Sequence, residues 1–381
     1  MKIKLTVLIS ALVIMFFGAN ISNAIIPHPD HIVIVIMENH GYSQIIGSSS
    51  APYINSLAAD PKGALFTNSH GTAHPSQPNY LQFYSGSNQG VTGDGFPTVN
   101  PFTTLNLGSS LISASKTFIT YSEDLPSVGY NGSTSGNYAR KHNPCANWMG
   151  ASTNGVPTTV NQPFTSYPTD YTTLPTVSYV VPNLQNDMHD GTVAQGDAWI
   201  QTHISGYATW CKTHNSLLII TFDEDNNTTP NQIPTIFVGE KVLAGQYAEL
   251  INHYNVLRTL DDIYGLPYSG SASTATPITD CWIPATGIIN NSIPANYSLE
   301  QNFPNPFNPS TDIRFSIPKS EFVSLKIYDS LGKEVTALVS ERLDAGNYEY
   351  HFNAGEIASG VYHYTISTPE FTQTKNMILV K

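Results

Sequence analysis

The sequence predicts an α/β fold, with a mainly parallel sheet between helical layers, followed by a small antiparallel β-sandwich. Three observations carry that expectation. The runs His31–Met37 and Leu217–Phe222 are apolar on both faces, as strands in the middle of a helix-covered sheet must be. Around them, short β-branched runs alternate with segments whose apolar residues recur at helical spacing. From about residue 298 the chain changes to alternating polar and apolar residues punctuated by glycine turns, the pattern of half-buried antiparallel strands.

The first residues read as a targeting segment. Lys2 and Lys4 precede an apolar run from Leu5 to Gly18, and Ser22-Asn23-Ala24 resembles a signal-peptidase site. Residues 1–24 are therefore expected to be a signal peptide, with the mature chain starting near Ile25. The apolar run is short for a membrane span and no later stretch approaches one, so no transmembrane segment is expected.

The strand at His31–Met37 stops abruptly at Glu38-Asn39-His40-Gly41. In open α/β sheets the chemistry sits just beyond the carboxyl ends of the strands. Glu38 and Asn39 stand where oxygen ligands of an ion would be, and a polar turn accounts for them equally well. Tyr53, Ile54, Leu57 and Ala58 then recur at helical spacing over 51–60, Pro61-Lys62-Gly63 closes that helix, and Ala64-Leu65-Phe66 reads as a short strand. A polar stretch leads to a helix starting near Pro78, a residue tolerated in a first turn. Ser76 falls at its N-terminus, where backbone N–H groups and the helix dipole favour an anionic oxygen and a bound phosphate. Serine is equally at home there as an ordinary N-cap.

A helix over 105–115 and a strand over 116–121 follow, then a Gly/Ser/Thr-rich surface loop over 127–135. It leads into Tyr138-Ala139-Arg140-Lys141-His142-Asn143-Pro144, the densest basic cluster of the chain, readable as an anion clamp or as a solvated loop. Thr176–Val181 is another β-branched strand, followed by Asp187-Met188-His189-Asp190-Gly191 and a helix over 192–210. The strand Leu217–Phe222 repeats the opening pattern by ending in Asp223-Glu224-Asp225. Consecutive carboxylates repel unless they spread into solvent or are neutralised by a cation. After a strand over Ile233–Val238, the residues Tyr254, Leu257, Leu260, Ile263 and Tyr264 line one face of a helix within 248–265. That register puts His253 at the helix entry and off the packed face, as an exposed helix-end histidine or as a general acid or phosphate ligand.

Bulk composition narrows the classes. Sixteen basic against 28 acidic residues give a formal charge of -12, which argues against a nucleic acid or an anionic membrane held by bulk charge. A phosphate substrate stays open, because a metal ion can supply local positive charge. Of Cys145, Cys211 and Cys281, two are able to pair in an oxidising compartment and leave one free; no CxxC spacing points to zinc or redox chemistry.

Four motifs in order, Met37-Glu38-Asn39-His40, then His74-Pro75-Ser76-Gln77-Pro78-Asn79-Tyr80, then Phe222-Asp223-Glu224-Asp225, then Asn252-His253-Tyr254 with Leu257-Arg258-Thr259-Leu260-Asp261-Asp262, resemble the bacterial phosphoesterase family of acid phosphatases and phospholipases C, within the alkaline-phosphatase superfamily. The similarity spans about Pro27 to Pro284. It implies a three-layer α/β/α alkaline-phosphatase-like domain. It further implies a metal held by Glu38, Asn39, Ser76, Asp223 and Glu224, with Ser76 also the nucleophile that forms a phosphoserine. His189 and His253 resemble residues that bind phosphate or protonate the leaving oxygen, and Lys141 and His142 a substrate-side segment of the acid phosphatase branch. His74, Asn79 and Asp190 are further candidates on the substrate side. Family members often carry aspartate where Glu224 stands. An all-oxygen ligand set favours a hard divalent cation, Ca²⁺, Mg²⁺ or Mn²⁺, over a histidine-rich zinc pair.

The tail reads as a separate unit. Ser298–Thr311 holds too many prolines for a helix or a central strand. Alternating runs follow over 312–317, 323–328, 348–352 and 361–366, with turns at Ser330-Leu331-Gly332-Lys333 and Ala345-Gly346-Asn347. Asn305-Pro306-Phe307-Asn308-Pro309, Ser359-Gly360-Val361-Tyr362 and the closing Lys375–Lys381 resemble the C-terminal sorting domain of type IX secretion, which implies that machinery as a partner and export to the surface or the medium. The expected organisation is a signal peptide over 1–24, a phosphoesterase domain over 25–285, a linker over 286–297 and a sorting domain over 298–381. The expected activity is hydrolysis of a phosphate ester, a phosphomonoester in the first place. A phospholipase C-type diesterase is the alternative, and a non-catalytic surface binding protein on the same scaffold is a third reading.

Overall fold

The strand β1 (His31–Met37) lies at the middle of a nine-stranded sheet, and its β-branched residues are buried on both sides. The computed structural model describes residues 26–283, 294–354 and 357–381. The expected signal peptide and residues 286–293 of the expected linker lie outside them.

In chain order the first unit continues with α1 (Tyr42–Ile45), α2 (Pro52–Ala58), β2 (Gly63–His70), α3 (Ser76–Ser85), α4 (Leu107–Ser113), β3 (Phe118–Ser122) and the two short strands β4 (Thr134–Ser135) and β5 (Tyr138–Ala139). Next come β6 (Asn161–Pro163), β7 (Val177–Val181), α5 (Val193–Trp210), β8 (Ser216–Phe222), β9 (Gln232–Gly239), β10 (Gly245–Tyr247), β11 (Ile251–Asn252) and α6 (His253–Tyr264). The strand order is β10-β2-β9-β8-β1-β7-β3-β6, with β11 paired to β2. Pairing is parallel except for β9, which runs antiparallel to both β8 and β2. The expectation of a mainly parallel sheet therefore stands, with β9 reversed. A crossover helix needs a dozen or more residues, and the short link from Phe222 to Gln232 leaves room only for a direct reversal.

The alternation of β1 decides the layers. Ile32, Ile34 and Ile36 face a cluster with Leu81, Phe83 and Tyr84 of α3 and Val256, Leu257 and Leu260 of α6. Val33, Val35 and Met37 face the opposite cluster, with Ile54 and Leu57 of α2 and Trp199, Ile200 and Ile204 of α5. Helices thus cover both faces, giving three layers. Burying each of these side chains contributes roughly 1.5–3 kcal/mol before conformational entropy is counted. Among the described residues no helix is long and apolar enough to cross a membrane.

All three cysteines are free and buried, so the pairing open to two of them is not made. Cys145 and Cys281 pack in the cluster on one side of the sheet and Cys211 in the cluster on the other, each serving as a small apolar side chain.

One buried acid of α6 makes a measurable prediction. Asp261 is 1% exposed, its Oδ2 has no donor, and burial together with the neighbouring Asp262 charge pushes its carboxyl up to about 8. The folded pKa lies above the unfolded value of about 3.9, so this group's contribution is fully present below about pH 4 and is lost as pH rises through about 8. Asp261→Asn is expected to flatten the fall in stability between pH 5 and 8, a free-energy gain at pH 8 of about a few kcal/mol at most, and so to raise Tm there. Thermal unfolding of both proteins across that range checks it; parallel profiles would refute it.

The second unit contains β12 (Ser298–Leu299), β13 (Ser310–Ile317), β14 (Glu321–Tyr328), β15 (Glu334–Leu343), β16 (Gly346–Asn353), β17 (Gly360–Ser367) and β18 (Thr372–Leu379). A three-stranded sheet, β12-β13-β16, and a four-stranded sheet, β15-β14-β17-β18, enclose one apolar core, including Ile313, Phe315, Leu325, Ile327, Tyr364 and Ile366. All pairs are antiparallel, as expected of a small β-sandwich. The alternating pattern marked β13, β14, β16 and β17. It missed β15 and β18, which are edge strands rich in charged or polar residues, a device that blunts edge-to-edge pairing.

Candidate active site

Parallel registration of β1 and β8 sets Met37 opposite Phe222, so Glu38 and Asp223 leave the sheet side by side at its carboxyl edge. The Asp223 amide donates to Met37 O at 3.0 Å, and the Asn39 amide donates to Asp223 Oδ1 at 3.2 Å. Asn39 holds a left-handed backbone (φ 53°) that turns the chain there.

The serine comes from α3. Every residue of this helix is buried, so it lacks an amphipathic stripe, and Gly86 ends it in a left-handed conformation (φ 66°) where an added Cβ would meet Ser269 O at 2.1 Å. Ser76 is the first helical residue; Pro75 occupies the N-cap position and no side chain caps the helix. Instead, the Ser76 hydroxyl lies 2.8 Å from Glu38 Oε2 and 3.3 Å from Glu224 Oε1. The ordinary-cap reading of Ser76 is thereby removed.

The acidic run after β8 does not spread into solvent: Asp223, Glu224 and Asp225 are 1%, 5% and 3% exposed, and Glu38 is fully buried. Burial pushes the Glu38 carboxyl well above its usual range, with the Asp223 and Asp187 charges adding to it. Asp223 is driven up by burial and then by Glu224. Glu224 is also raised by burial, opposed by His74. Asp223 Oδ2 and Glu38 Oε1 are sealed from solvent without a hydrogen-bond donor. Orphaned, mutually repelling oxygens in one place fit a hard divalent cation, whose ligands are carboxylates, amide oxygens and hydroxyls. Glu38, Asn39, Ser76, Asp223 and Glu224, the ligand set that the resemblance implies, are gathered at this edge of the sheet. Among the described residues, the acids and histidines whose ligand atoms all lie within 4.8 Å of one another are Glu38, His142 and His189.

A cavity of about 420 Å³ opens over Ser76 and is lined by Asn39, His74, Asp94, His189 and Glu224 among others. His74 Nδ1 lies 2.8 Å from Glu224 Oε2 and its Nε2 3.5 Å from Asp225 Oδ1. On the other side, Lys141 Nζ donates to Asp94 Oδ2 at 2.7 Å and stands 3.1 Å from His189 Nε2. Burial by itself would lower the Lys141 ammonium, but the Asp94 bond and the surrounding carboxylates outweigh it and raise the group. His189 Nδ1 is 2.7 Å from Asp190 Oδ1, so Asp190 acts on the cavity through the imidazole.

Three expected site residues are placed differently from the sequence reading. His253 is 2% exposed, stacks on Phe83 with ring centroids 5.5 Å apart, and bonds Asp223 O through Nε2 at 2.6 Å. Asn252 caps α6, and this turns the histidine inward against α3. Burial lowers its imidazole to about 4, so it props the Asp223 backbone instead of facing substrate as a free acid. Asn79 is fully buried; its Oδ1 accepts from the Thr72 and Ala73 amides at 3.0 and 2.9 Å, and its Nδ2 lies 3.3 Å from Glu224 Oε2. It braces the loop ahead of Ser76. His142 is 1% exposed, stacked on Tyr80, with Nδ1 3.0 Å from Asp187 Oδ2 and Nε2 3.1 Å from Glu38 Oε1. Burial and the charges of Lys141 and His189 lower it well below its usual range, so it meets Glu38 as a neutral ring.

Two participants escaped the sequence reading. Asp187 fixes the His142 ring and accepts from the His189 amide at 2.8 Å, and burial pushes its carboxyl up to about 8. Asp94 ties the Gln77 amide, at 3.0 Å, to Lys141. The signal for Asp94 was a lone acid between Gly93 and Gly95. For Asp187 it was the acid two residues before His189.

Residues 48–267 match the model of the Phosphoesterase family, and residues 301–381 match that of a secretion system C-terminal sorting domain. The chain is 52% identical over 254 residues to phosphatidylinositol-3-phosphatase of Mycobacterium tuberculosis, covering 66% of this chain and 82% of that protein. It is 26% identical over 298 residues to an acid phosphatase of Aspergillus fumigatus, covering 74% of this chain and 65% of that one. It is 29% identical over 272 residues to a phosphate-repressible acid phosphatase of Penicillium chrysogenum, covering 66% and 64%. The chain thus spans less than two thirds of either fungal relative. A solved protein of the alkaline phosphatase superfamily from Vibrio parahaemolyticus aligns over 77% of this chain and 76% of its own at 12% identity, with a TM-score of 0.47. With more than half of its length inside the family match, this chain belongs to the Phosphoesterase family and is a phosphoric ester hydrolase that carries a C-terminal sorting domain.

Proposed function

We propose that the protein is an exported, metal-dependent phosphomonoesterase of the acid phosphatase type that works through a phosphoserine at Ser76. The observation that carries this is the Ser76 hydroxyl, held 2.8 Å from the buried Glu38 carboxylate at the mouth of the cavity. The first N–H groups of α3 give the cavity a positive end for a phosphoryl group, and the Lys141 ammonium stands behind its wall, bonded to Asp94. Ser76 Oγ attacks phosphorus, the Oγ–P bond forms as the ester P–O bond breaks, and Glu38 stands where the hydroxyl proton is released. His189, which lines the cavity with Lys141 Nζ 3.1 Å behind its Nε2, is the group available to protonate the departing alkoxide. Water then cleaves the phosphoserine and returns Ser76 to its starting state.

A divalent cation held by Glu38, Asn39, Ser76, Asp223 and Glu224 would supply Lewis-acid chemistry, lowering the hydroxyl pKa and polarising the phosphoryl oxygens. Ca²⁺, Mg²⁺ and Mn²⁺ suit those oxygen donors. His253, His142 and Asn79 are positioning residues in this scheme. The monoester reading is supported by the phosphatidylinositol-3-phosphatase and acid phosphatase relatives. Export by the type IX machinery, to the cell surface or the medium, follows from the sorting domain.

With metal supplied, hydrolysis of p-nitrophenyl phosphate is expected to exceed cleavage of phosphatidylcholine by at least about a hundredfold in kcat/KM, a transition-state preference on the order of 3 kcal/mol. Faster lipid cleavage would move the protein to the phospholipase C branch. No hydrolysis of any phosphoester from acidic to alkaline pH would favour a binding protein on this scaffold.

A further inference from the structure

A second cavity, about 170 Å³, adjoins the first and shares with it the wall formed by Asp94 and His189. Its far side contains Phe96, Thr134 and Arg140. Arg140 opens the short turn Arg140–His142, and its amide donates to Ser133 O at 3.0 Å, so the β4–β5 pair fixes where it stands.

Arg140 is only 2% exposed, yet it makes no ion pair among the described residues. Its single side-chain hydrogen bond runs from Nε to the neutral amide oxygen of Asn131 at 2.7 Å, and Nη2 is sealed without an acceptor. The remaining contact is Phe96, whose half-exposed ring has its centroid 4.2 Å from the guanidinium carbon. A guanidinium withdrawn from water is costly unless an anion or several acceptors meet it, and one aromatic face offsets only part of that cost. The neighbouring Lys141 has its carboxylate in Asp94; Arg140 has none. Desolvation lowers the Arg140 guanidinium to about 10, which is still charged at neutral pH.

We propose that the second cavity is the leaving-group subsite, and that it selects phosphomonoesters whose alcohol carries a second anionic group, a phosphate or phosphodiester, met there by Arg140. The proposal rests on the phosphomonoesterase reading above. An ester seated with its phosphorus at Ser76 and its alcohol past Asp94 and His189 brings its second anion to the unpaired guanidinium, while Phe96 covers the apolar part. The same chemistry has two sources, a soluble bisphosphate and a phosphorylated lipid headgroup.

The test compares kcat/KM within matched pairs. One arm sets fructose 1,6-bisphosphate against fructose 6-phosphate. The other sets phosphatidylinositol 3-phosphate in phosphatidylcholine vesicles against free inositol 3-phosphate. The metal-loaded full chain is expected to prefer the doubly anionic member by about tenfold or more in at least one arm, the size of a charge-assisted hydrogen bond, and the arm that responds names the source. In Arg140→Gln that ratio is expected to fall to about one, with Arg140→Lys keeping part of it. Thr134→Glu sets a carboxylate at the exposed lip of the cavity without disturbing the buried arginine, and is expected to cancel the preference as well. A wild-type ratio near one in both arms, with p-nitrophenyl phosphate turned over, overturns the subsite and leaves the phosphomonoesterase reading intact. A preference that survives in Thr134→Glu and in folded Arg140→Gln also overturns it. Failure of the wild type to hydrolyse every ester overturns the phosphomonoesterase reading, and the subsite with it.

Discussion

Ser76→Ala is expected to lower kcat for p-nitrophenyl phosphate by at least about a thousandfold, roughly 4 kcal/mol of transition-state stabilisation, while the protein stays folded. The stability half of this prediction comes from the helix terminus. Ser76 makes no capping bond in α3, so losing its hydroxyl removes no cap. The hydroxyl does lie beside Glu38 and Glu224, and without it those buried oxygens lose a donor, so a change in Tm of a few degrees in either direction is compatible with the scheme. Rapid acid quench with labelled substrate supplies a second readout. Protein-bound phosphate is expected in the wild type and absent in Ser76→Ala. Near-wild-type turnover by the alanine variant would remove Ser76 from the mechanism.

Chelation is expected to abolish turnover, by about a hundredfold or more, and to lower Tm, with both effects reversed by Ca²⁺, Mg²⁺ or Mn²⁺. The physical cause is the density of acceptors: Glu38, Asp223 and Glu224 are buried together, each held above its usual carboxylate range by burial, and two of their oxygens have no donor. A ligand present at a thousand times its Kd stabilises the folded state by about 4 kcal/mol, which makes Tm a measure of occupancy independent of catalysis. Asp223→Asn separates the contributions. It relieves repulsion in the metal-free protein, so the metal-free Tm is expected to rise. It also removes an anionic ligand, so the rise in Tm on adding metal is expected to shrink. A Tm that ignores both chelator and metal in the wild type would mean that the carboxylates are accommodated by protonation alone.

The sequence made the acids at the sheet edge legible because two strands advertised themselves. A strand apolar on both faces is recognisable without alignment or structure, and the residue after its last apolar position is placed at the sheet edge by period and direction alone. Glu38 and Asp223 were found in that way. Ser76 was found by a different signal, its position before a helix, and that signal was ambiguous until Pro75 proved to be the cap. His253 shows where the pattern misleads. Leu257, Leu260, Ile263 and Tyr264 do pack on the core, with Val256 in place of the expected Tyr254, but a residue at the first turn is not governed by that face. Asn252 and the stacking partner Phe83 decide its direction, and Phe83 lies 170 positions away in the chain. Asp94 and Arg140 stayed hidden for a similar reason. Loop residues carry no periodicity, so nothing in the local sequence says which of them is buried or what it meets.

What the sequence by itself determined is the architecture at the level of periods and endings: α/β followed by β-sandwich, the six longer strands of the central sheet (β1, β2, β3, β7, β8 and β9, but not β6, β10 or β11), and the acids at two strand ends. Those features are local, because side-chain alternation and helical repeat are written within a few residues of each other. The tertiary structure alone decided which oxygens share one buried space, that β9 runs backward and so brings the acidic loop over the sheet edge, and that His142, Asn79 and His253 brace the site from behind. It also decided that Arg140 is a buried cation with no carboxylate partner among the described residues. Each of these depends on desolvation and on contacts between residues far apart in the chain, and neither quantity exists until the chain has folded.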